Sequence, residues 1–569
     1  MKQKFTLLAL AFAATGLLQA QKPDKYRETA IQQFKADIGY LASDELEGRL
    51  TGWPGEEKSA HYISRRFADL KLQPLLDNNT SWFQRFDIVK LRLAGGRTAF
   101  DATLEDQVHT FPLNKEFYPL SSSANQASVE AGIVYLQFGI IADSLGRNDY
   151  KGKDVNGKVA VIMLGSPDER NPHSAFKAHE DLDLKLRHAA KAGAAAVVFI
   201  PSPDTKEKPS GELKRDAATQ TIPVLYAFGW TDYLMNAQKA RIVVDITALT
   251  APGHNVIGWL PGKKAKYTVV VGAHHDHLGF GELGGSRAPG VNEIHNGADD
   301  NASGVAAMLD LAQRIRSNKK MRKYNYLFTA YSGEELGLLG SKFFVQHSPL
   351  AIENIAFMIN IDMLGRLDPQ KKTLMVNGTG TSPQWKTALA KVPTDTTVLK
   401  IATTESGLGP SDHASFYLRD IPVLHFFTGQ HEDYHKPSDD ADKINYEGLY
   451  ESNSYIYRLL QVSGKGDKPS FTKTKDVSPG RSPFRVTLGV MPDYAFPGPG
   501  LRLDGVSEGK PAAAAGLQRG DIILQLGDTP ILNVNDYMAA LQKLNKGQTV
   551  SLVYKRQGVE GNQTVQVSL

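Results

Sequence analysis

Cysteine is absent from the 569 residues, which excludes disulfides, thiolate metal sites, a cysteine nucleophile and lipid attachment through sulfur. Any metal bound here must be held by nitrogen and oxygen. Charge of one sign is also lacking: 65 basic against 61 acidic residues leaves a formal net charge of +4, too small a balance to point to nucleic acid. Two of the basic residues, Lys2 and Lys4, lie in a segment that reads as removable. A long hydrophobic run is missing too. The apolar stretch from Phe5 to Leu18 is shorter than the roughly 18 to 20 residues that span a bilayer. Its basic start and the cleavage position after Ala20 make residues 1–20 a secretory signal, although Leu18 stands where a small residue is usual. The expectation is an exported protein, periplasmic or secreted, with no stable membrane insertion once the signal is removed.

Hydrophobic residues at 41% and charged residues at 22% give an ordinary soluble composition, so cores of normal size can replace the missing disulfides. The length suggests about three or four domains. Apolar spacing of three and four at Ile31, Phe34, Ile38 and Leu41, and at Tyr62, Ile63, Phe67 and Leu70, predicts two helices joined by the turn GRLTGWPG. Residues 117–248 change texture, with short strand candidates IVYLQF, KVAVIML, AAVVFI, IPVLYA and RIVVDI around a helix LKLRHAAKAGA; this block resembles a protease-associated insert. Strands and helices alternate over 249–463 as in βαβ units. With residues 24–116 this block forms the expected catalytic domain, an α/β fold whose mixed, mostly parallel sheet is sandwiched by helices. The stretch 464–483 is polar and reads as a linker. The run AGLQRGDIILQLGD and its flanks make 484–569 resemble a PDZ domain, which implies capture of an extended peptide or protein C-terminus by strand addition, with Leu488, Gly489 and Val490 at the carboxylate loop.

Five polar runs divide the second half: HHDH (274–277), GADDN (297–301), SGEE (332–335), NID (360–362) and DYH (433–435). All but GADDN closely follow an apolar stretch suited to a strand. Ligands in an open parallel sheet gather beyond the carboxyl ends of its strands, so four such strands deliver metal-capable side chains to one edge. Taken singly the runs decide little. His274 and Asp276 share a strand face, while His275 and His277 are expected on the other. Asp299 and Asp300 would serve equally as helix caps, and Glu334 and Glu335 suit the first turn of a helix. Asp362 ends a buried strand and needs a cation or another partner. The last histidine stays open among His425, His431 and His435.

In their order the runs resemble the di-zinc aminopeptidases of the co-catalytic metallopeptidases. The resemblance implies two zinc ions, one held by His274 and Asp362 and the other by Glu335 and His435, with Asp299 bridging them. It implies Glu334 as general base, Asp276 as the acid orienting His274, and a cis peptide between Asp299 and Asp300. The implied reaction is hydrolysis of N-terminal residues from peptides by a hydroxide bridging the two metals. A carboxypeptidase on the same scaffold and a metal-free peptide-binding receptor are the alternatives. One position departs from the pattern: Leu408 stands where some relatives place an oxyanion-stabilising tyrosine. His413 is the candidate substitute, against a role at the start of a capped helix.

Overall fold

The computed structural model describes residues 25–463, 467–474, 486–492 and 500–569, less a few short stretches within them. The expected signal segment and more than half of the expected linker lie outside the described residues. The chain divides into two units, Met1–Phe86 with Gly253–Leu569, and Asp87–Pro252.

In the first unit the main sheet is built from β1 (Lys239–Leu260, of which Val256–Leu260 pair here), β2 (Thr268–His274), β3 (Asn325–Tyr331), β4 (Ile355–Ile361), β5 (Thr373–Asn377), β6 (Lys400–Thr403) and β7 (Val423–Phe427). They run in the order β6-β5-β7-β4-β2-β3-β1. β2 pairs in parallel with both β3 and β4, and β4 pairs in parallel with β7; β1 and β5 enter antiparallel. Every residue of β2 and β4 is buried, as strands covered on both faces must be. Val269, Val271, Phe328 and Ile359 pack on one face against α1 (Lys25–Leu41), α2 (Pro54–Asp69), α3 (Gly304–Ser317) and the C-terminal helix Tyr446–Ser463. Val270, Leu327 and Met358 pack on the other against Phe344 of α4 (Leu339–Gln346) and Phe416 of the short helix His413–Tyr417. This is the mixed, helix-sandwiched sheet expected from the alternating pattern.

Two local expectations change. The helix anticipated from Glu334 starts only at Leu339, because Gly333, Gly337 and Leu338 take φ of +72°, +99° and +62°, left-handed values that interrupt a right-handed helix. Glu334 and Glu335 therefore sit on a turn. Residues 467–474, expected to be linker, lie along the first unit: Lys468 Nζ donates to the Glu353 carbonyl at 2.6 Å, Thr472 N to the Thr381 carbonyl at 2.8 Å, and Phe471 packs near Tyr417.

In the second unit, Val159–Met163, Ala196–Ile200 and Val224–Ala227 form a parallel core, and the helix Leu182–Lys191 is capped by Asp181, which accepts from Leu184 N at 2.7 Å. This unit begins before residue 117, because Phe100 and Phe111 of the hairpin Ala99–Leu104 and Gln107–Phe111 join its core beside Phe117. Toward the C-terminus a separate apolar cluster that includes Leu488, Leu503, Ile523 and Leu552 supports a sheet of Val490–Pro492, Leu501–Val506, Ile522–Leu526, Thr549–Lys555 and Gln563–Ser568.

Candidate active site

Parallel pairing sets the site. His274 is level with Tyr331 at the ends of β2 and β3, Gly272 is level with Asn360, and Asn360 with His425. The residues that follow these strands therefore emerge at one edge. His274 closes β2, Glu334 and Glu335 follow β3, Asp362 follows β4, and the loop after β7 carries His431 and His435.

Asp300 stands between two groups. Its Oδ1 lies 3.2 Å from His274 Nε2, and its Oδ2 lies 3.2 Å from His435 Nε2. On one side, His274 Nε2 is 3.4 Å from Asp362 Oδ1, and His274, Glu334 and Asp362 present ligand atoms within 4.8 Å of one another. On the other, Glu335 Oε2 is 3.2 Å from His435 Nε2 and its Oε1 is 2.7 Å from His277 Nδ1; His277, Asp300 and Glu335 likewise converge within 4.8 Å. Asp276 lies behind, its carboxylate 3.8 Å from His274 Nδ1. That carboxylate accepts from Thr51 Oγ1 at 3.0 Å and from the backbone N–H of Glu334 at 3.1 Å.

Asp299 stands outside both groups. Its Oδ1 accepts from Gly365 N at 2.6 Å and from Ser303 Oγ at 2.9 Å, and its Oδ2 faces His431 Nε2 at 3.2 Å. Asp439 Oδ2 accepts from the N–H groups of both Asp299 and Asp300, at 3.0 and 3.1 Å. The two consecutive side chains then leave this fixed backbone toward different neighbours. The cis peptide follows Asp300, between Asp300 and Asn301, one bond later than expected. His277 also departs from its expected face, its Nδ1 lying 2.7 Å from Glu335 Oε1. The strand stops at His274, so face alternation does not extend to His277, which instead forms a bridge with Leu50 and donates its N–H to the Arg49 carbonyl at 3.2 Å. His275 does point elsewhere, to Ser59 Oγ at 2.7 Å and the His254 carbonyl at 2.8 Å.

His413 opens the short helix His413–Tyr417, the alternative place for it. His413 is fully buried and stacks on His425 with ring centroids 4.5 Å apart, and burial holds its imidazole well below its ordinary range. Tyr434, which the sequence reading passed over inside DYH, stacks on His435 at 3.8 Å. Burial and the charges of Asp300, Glu335, Glu334 and Asp362 push its phenol well above 10, so the hydroxyl keeps its proton among the carboxylates.

The paired glutamates titrate in opposite directions. Burial, reinforced by Glu335 and Asp362 and opposed by His274, raises Glu334 well above the usual carboxylate range. Burial also acts on Glu335, but His435 and hydrogen bonds from His277 and His435 outweigh it and bring Glu335 to about 2. Divergent neighbours of this kind suit different tasks. Burial likewise lifts Asp276 to about 7. Five buried or nearly buried carboxylates, Asp276, Asp300, Glu334, Glu335 and Asp362, thus converge on His274, His277 and His435, and His277 Nε2 has no hydrogen-bond partner among the described residues. Such an excess of enclosed negative charge is costly without cations, and a nitrogen and oxygen donor set without sulfur fits divalent zinc.

The loop carrying His435 is pinned through Asp433. Arg366 donates to its Oδ2 at 3.1 Å, Ser438 to its Oδ1 at 2.7 Å and Lys443 to its Oδ1 at 2.8 Å. Despite partial burial these contacts lower its carboxyl from 3.8 to about 2. A depressed carboxyl stabilises the folded state above its unfolded value, and that contribution is lost as pH falls from about 4 to about 2. Asp433→Asn is expected to remove this component, flattening the acid limb of a stability-against-pH curve measured by circular dichroism; an unchanged limb would dismiss the anchor.

Comparison with known proteins identifies the modules. Residues 255–460 match Peptidase family M28, 129–228 the PA domain and 473–569 the PDZ domain. Aminopeptidase YwaD of Bacillus subtilis is 26% identical over 84% of this chain and 97% of its own length. A probable leucine aminopeptidase of Arthroderma otae is 35% identical over 33% of this chain and 51% of its own. Among solved structures, a zinc aminopeptidase from Bacillus subtilis is 23% identical, covers 78% of this chain and 98% of its own, and has a TM-score of 0.41. The chain is modular by these matches. It carries an M28 peptidase domain, with a PA domain inserted and a PDZ domain following.

Proposed function

We propose that this chain is an exported zinc-dependent aminopeptidase that holds two zinc ions and removes N-terminal residues from peptides. The observation that carries the reading is Asp300, whose two oxygens face two separate ligand groups. His274 and Asp362 would hold one ion, Glu335 and His435 the other, and Asp300 both, with Asp276 fixing His274 and His277 orienting Glu335. Ions bound there supply Lewis acidity toward a peptide carbonyl and make a water more acidic. Glu334 takes the proton of the attacking water and returns it to the leaving amine, a task suited to a carboxyl held high by its surroundings. Tyr434 donates its hydroxyl to the developing oxyanion, in place of the residue missing at Leu408. The relatives' names, aminopeptidase and probable leucine aminopeptidase, favour trimming from the N-terminus. Export rests on residues 1–20, and no described helix is long and apolar enough to cross a membrane. Capture of a peptide or protein C-terminus is the reading for the PDZ domain.

Digestion of a peptide library with zinc-loaded protein, reading which end shortens, tests the activity. Shortening from the N-terminus that stops on chelation and returns with zinc is expected; shortening from the C-terminus would make the chain a carboxypeptidase. Tyr434→Phe is expected to lower kcat by about 10² with KM and zinc content retained, the scale of one lost oxyanion donor. Wild-type kcat in that variant would transfer the role elsewhere.

A further inference from the structure

The GRLTG segment contributes none of the ligands, yet it touches three of the loops that carry them. Arg49 is 1% exposed. Its Nε donates to the His275 carbonyl at 2.8 Å, Nη1 to the carbonyls of Leu41 and, at 2.6 Å, of Asn296, and Nη2 to the Gly297 carbonyl at 2.9 Å. Closing the end of α1 would need the Leu41 bond alone. The other three join the strand end bearing His274 to the residues just before Asp299 and Asp300. The backbone continues the pattern: the Arg49 carbonyl accepts from His277 N at 3.2 Å, and the Gly48 carbonyl from Gly279 N at 3.0 Å. Gly48 itself adopts φ +68°, and a Cβ there would stand 2.6 Å from the Gly279 carbonyl oxygen, so only glycine permits this approach. Thr51 Oγ1 accepts from Ser332 Oγ at 3.2 Å and donates to Asp276 Oδ2 at 3.0 Å, reaching the third loop.

We propose that Arg49 is a positioning residue that sets the spacing between the His274 strand end and the Asp300 loop, with Thr51 extending the same template to Asp276. The Arg49 donors all go to backbone carbonyls. A planar fork of N–H groups can span several carbonyls at once, and a lysine ammonium cannot reproduce that geometry. Burial lowers its guanidinium to about 10 against the opposing pull of Asp276, Asp300, Asp439 and Glu335, so it remains a cation at neutral pH beneath the carboxylate cluster.

The inference rests on the metallopeptidase reading. Full-length Arg49→Met and Arg49→Lys, checked for fold by circular dichroism, would be titrated with zinc against a chromophoric chelator and refilled with cobalt(II) for visible absorption. Both ions are expected to bind at least about tenfold more weakly in Arg49→Met, the scale of lost second-sphere support. The cobalt spectrum should change, kcat should fall more than KM rises, and Arg49→Lys should recover only part. A folded Arg49→Met with wild-type zinc affinity and cobalt spectrum would overturn the proposal. Should that variant not fold, Thr51→Val carries the test: a changed cobalt spectrum supports the template, and a wild-type spectrum with wild-type affinity overturns it. Failure of wild-type protein to take up zinc would instead sink the metallopeptidase reading itself.

Discussion

Glu334→Gln is expected to lower kcat and kcat/KM together by at least about 10², and up to about 10⁴, the range for a lost general base. KM and zinc content should stay near wild type. The amide keeps the side chain's size but cannot accept the proton of water at neutral pH. Two features focus the expectation on this residue. Its carboxyl is pushed up while that of adjacent Glu335 is held near 2, and its N–H is fixed by Asp276 at 3.1 Å. Glu334 also stands within 4.8 Å of the ligand atoms of His274 and Asp362, so zinc content decides its role. Turnover lost with zinc retained identifies a base, turnover lost with zinc identifies a ligand, and unchanged turnover removes Glu334 from the reaction.

The second large effect separates two neighbours. Asp300→Asn is expected to weaken zinc binding at both positions and reduce turnover on the order of 10³-fold, matching several kcal/mol of lost charge stabilisation. Asp299→Asn should keep both ions. Its cost should appear as lower thermal stability, because the amide keeps an Oδ1 to accept from Gly365 and Ser303 but loses the ion pair of Oδ2 with His431 Nε2 at 3.2 Å. Metal analysis and melting of the two purified variants check this, and the reverse result would return the bridge to Asp299.

That pair shows where sequence reasoning stops. The fold was legible because burial on both faces leaves an unmistakable trace: YTVVVGA and IAFMINI can hardly be anything but central strands, and their ends point to His274 and Asp362. Position within a strand carries across to faces only while the strand lasts. His277 lies beyond the end of β2, where a bridge to Leu50 sets its direction, and that bridge joins residues distant in sequence. The choice between Asp299 and Asp300 depends on backbone anchoring by Asp439, which adjacent identical residues cannot reveal. Tyr434 and Arg49 were hidden for the same reason: a tyrosine in a polar loop and an arginine in a glycine turn look exposed until the segments that cover them are known.

The ligand set is scattered from His274 to His435 across four strand ends and a loop, with no two proposed ligands of one ion close in sequence. The donors proposed for one ion meet only when the strand ends do, so a defined site forms with the sheet and not before it. Loading of that site would then follow folding. Free zinc shifts the folding equilibrium only by binding the finished domain.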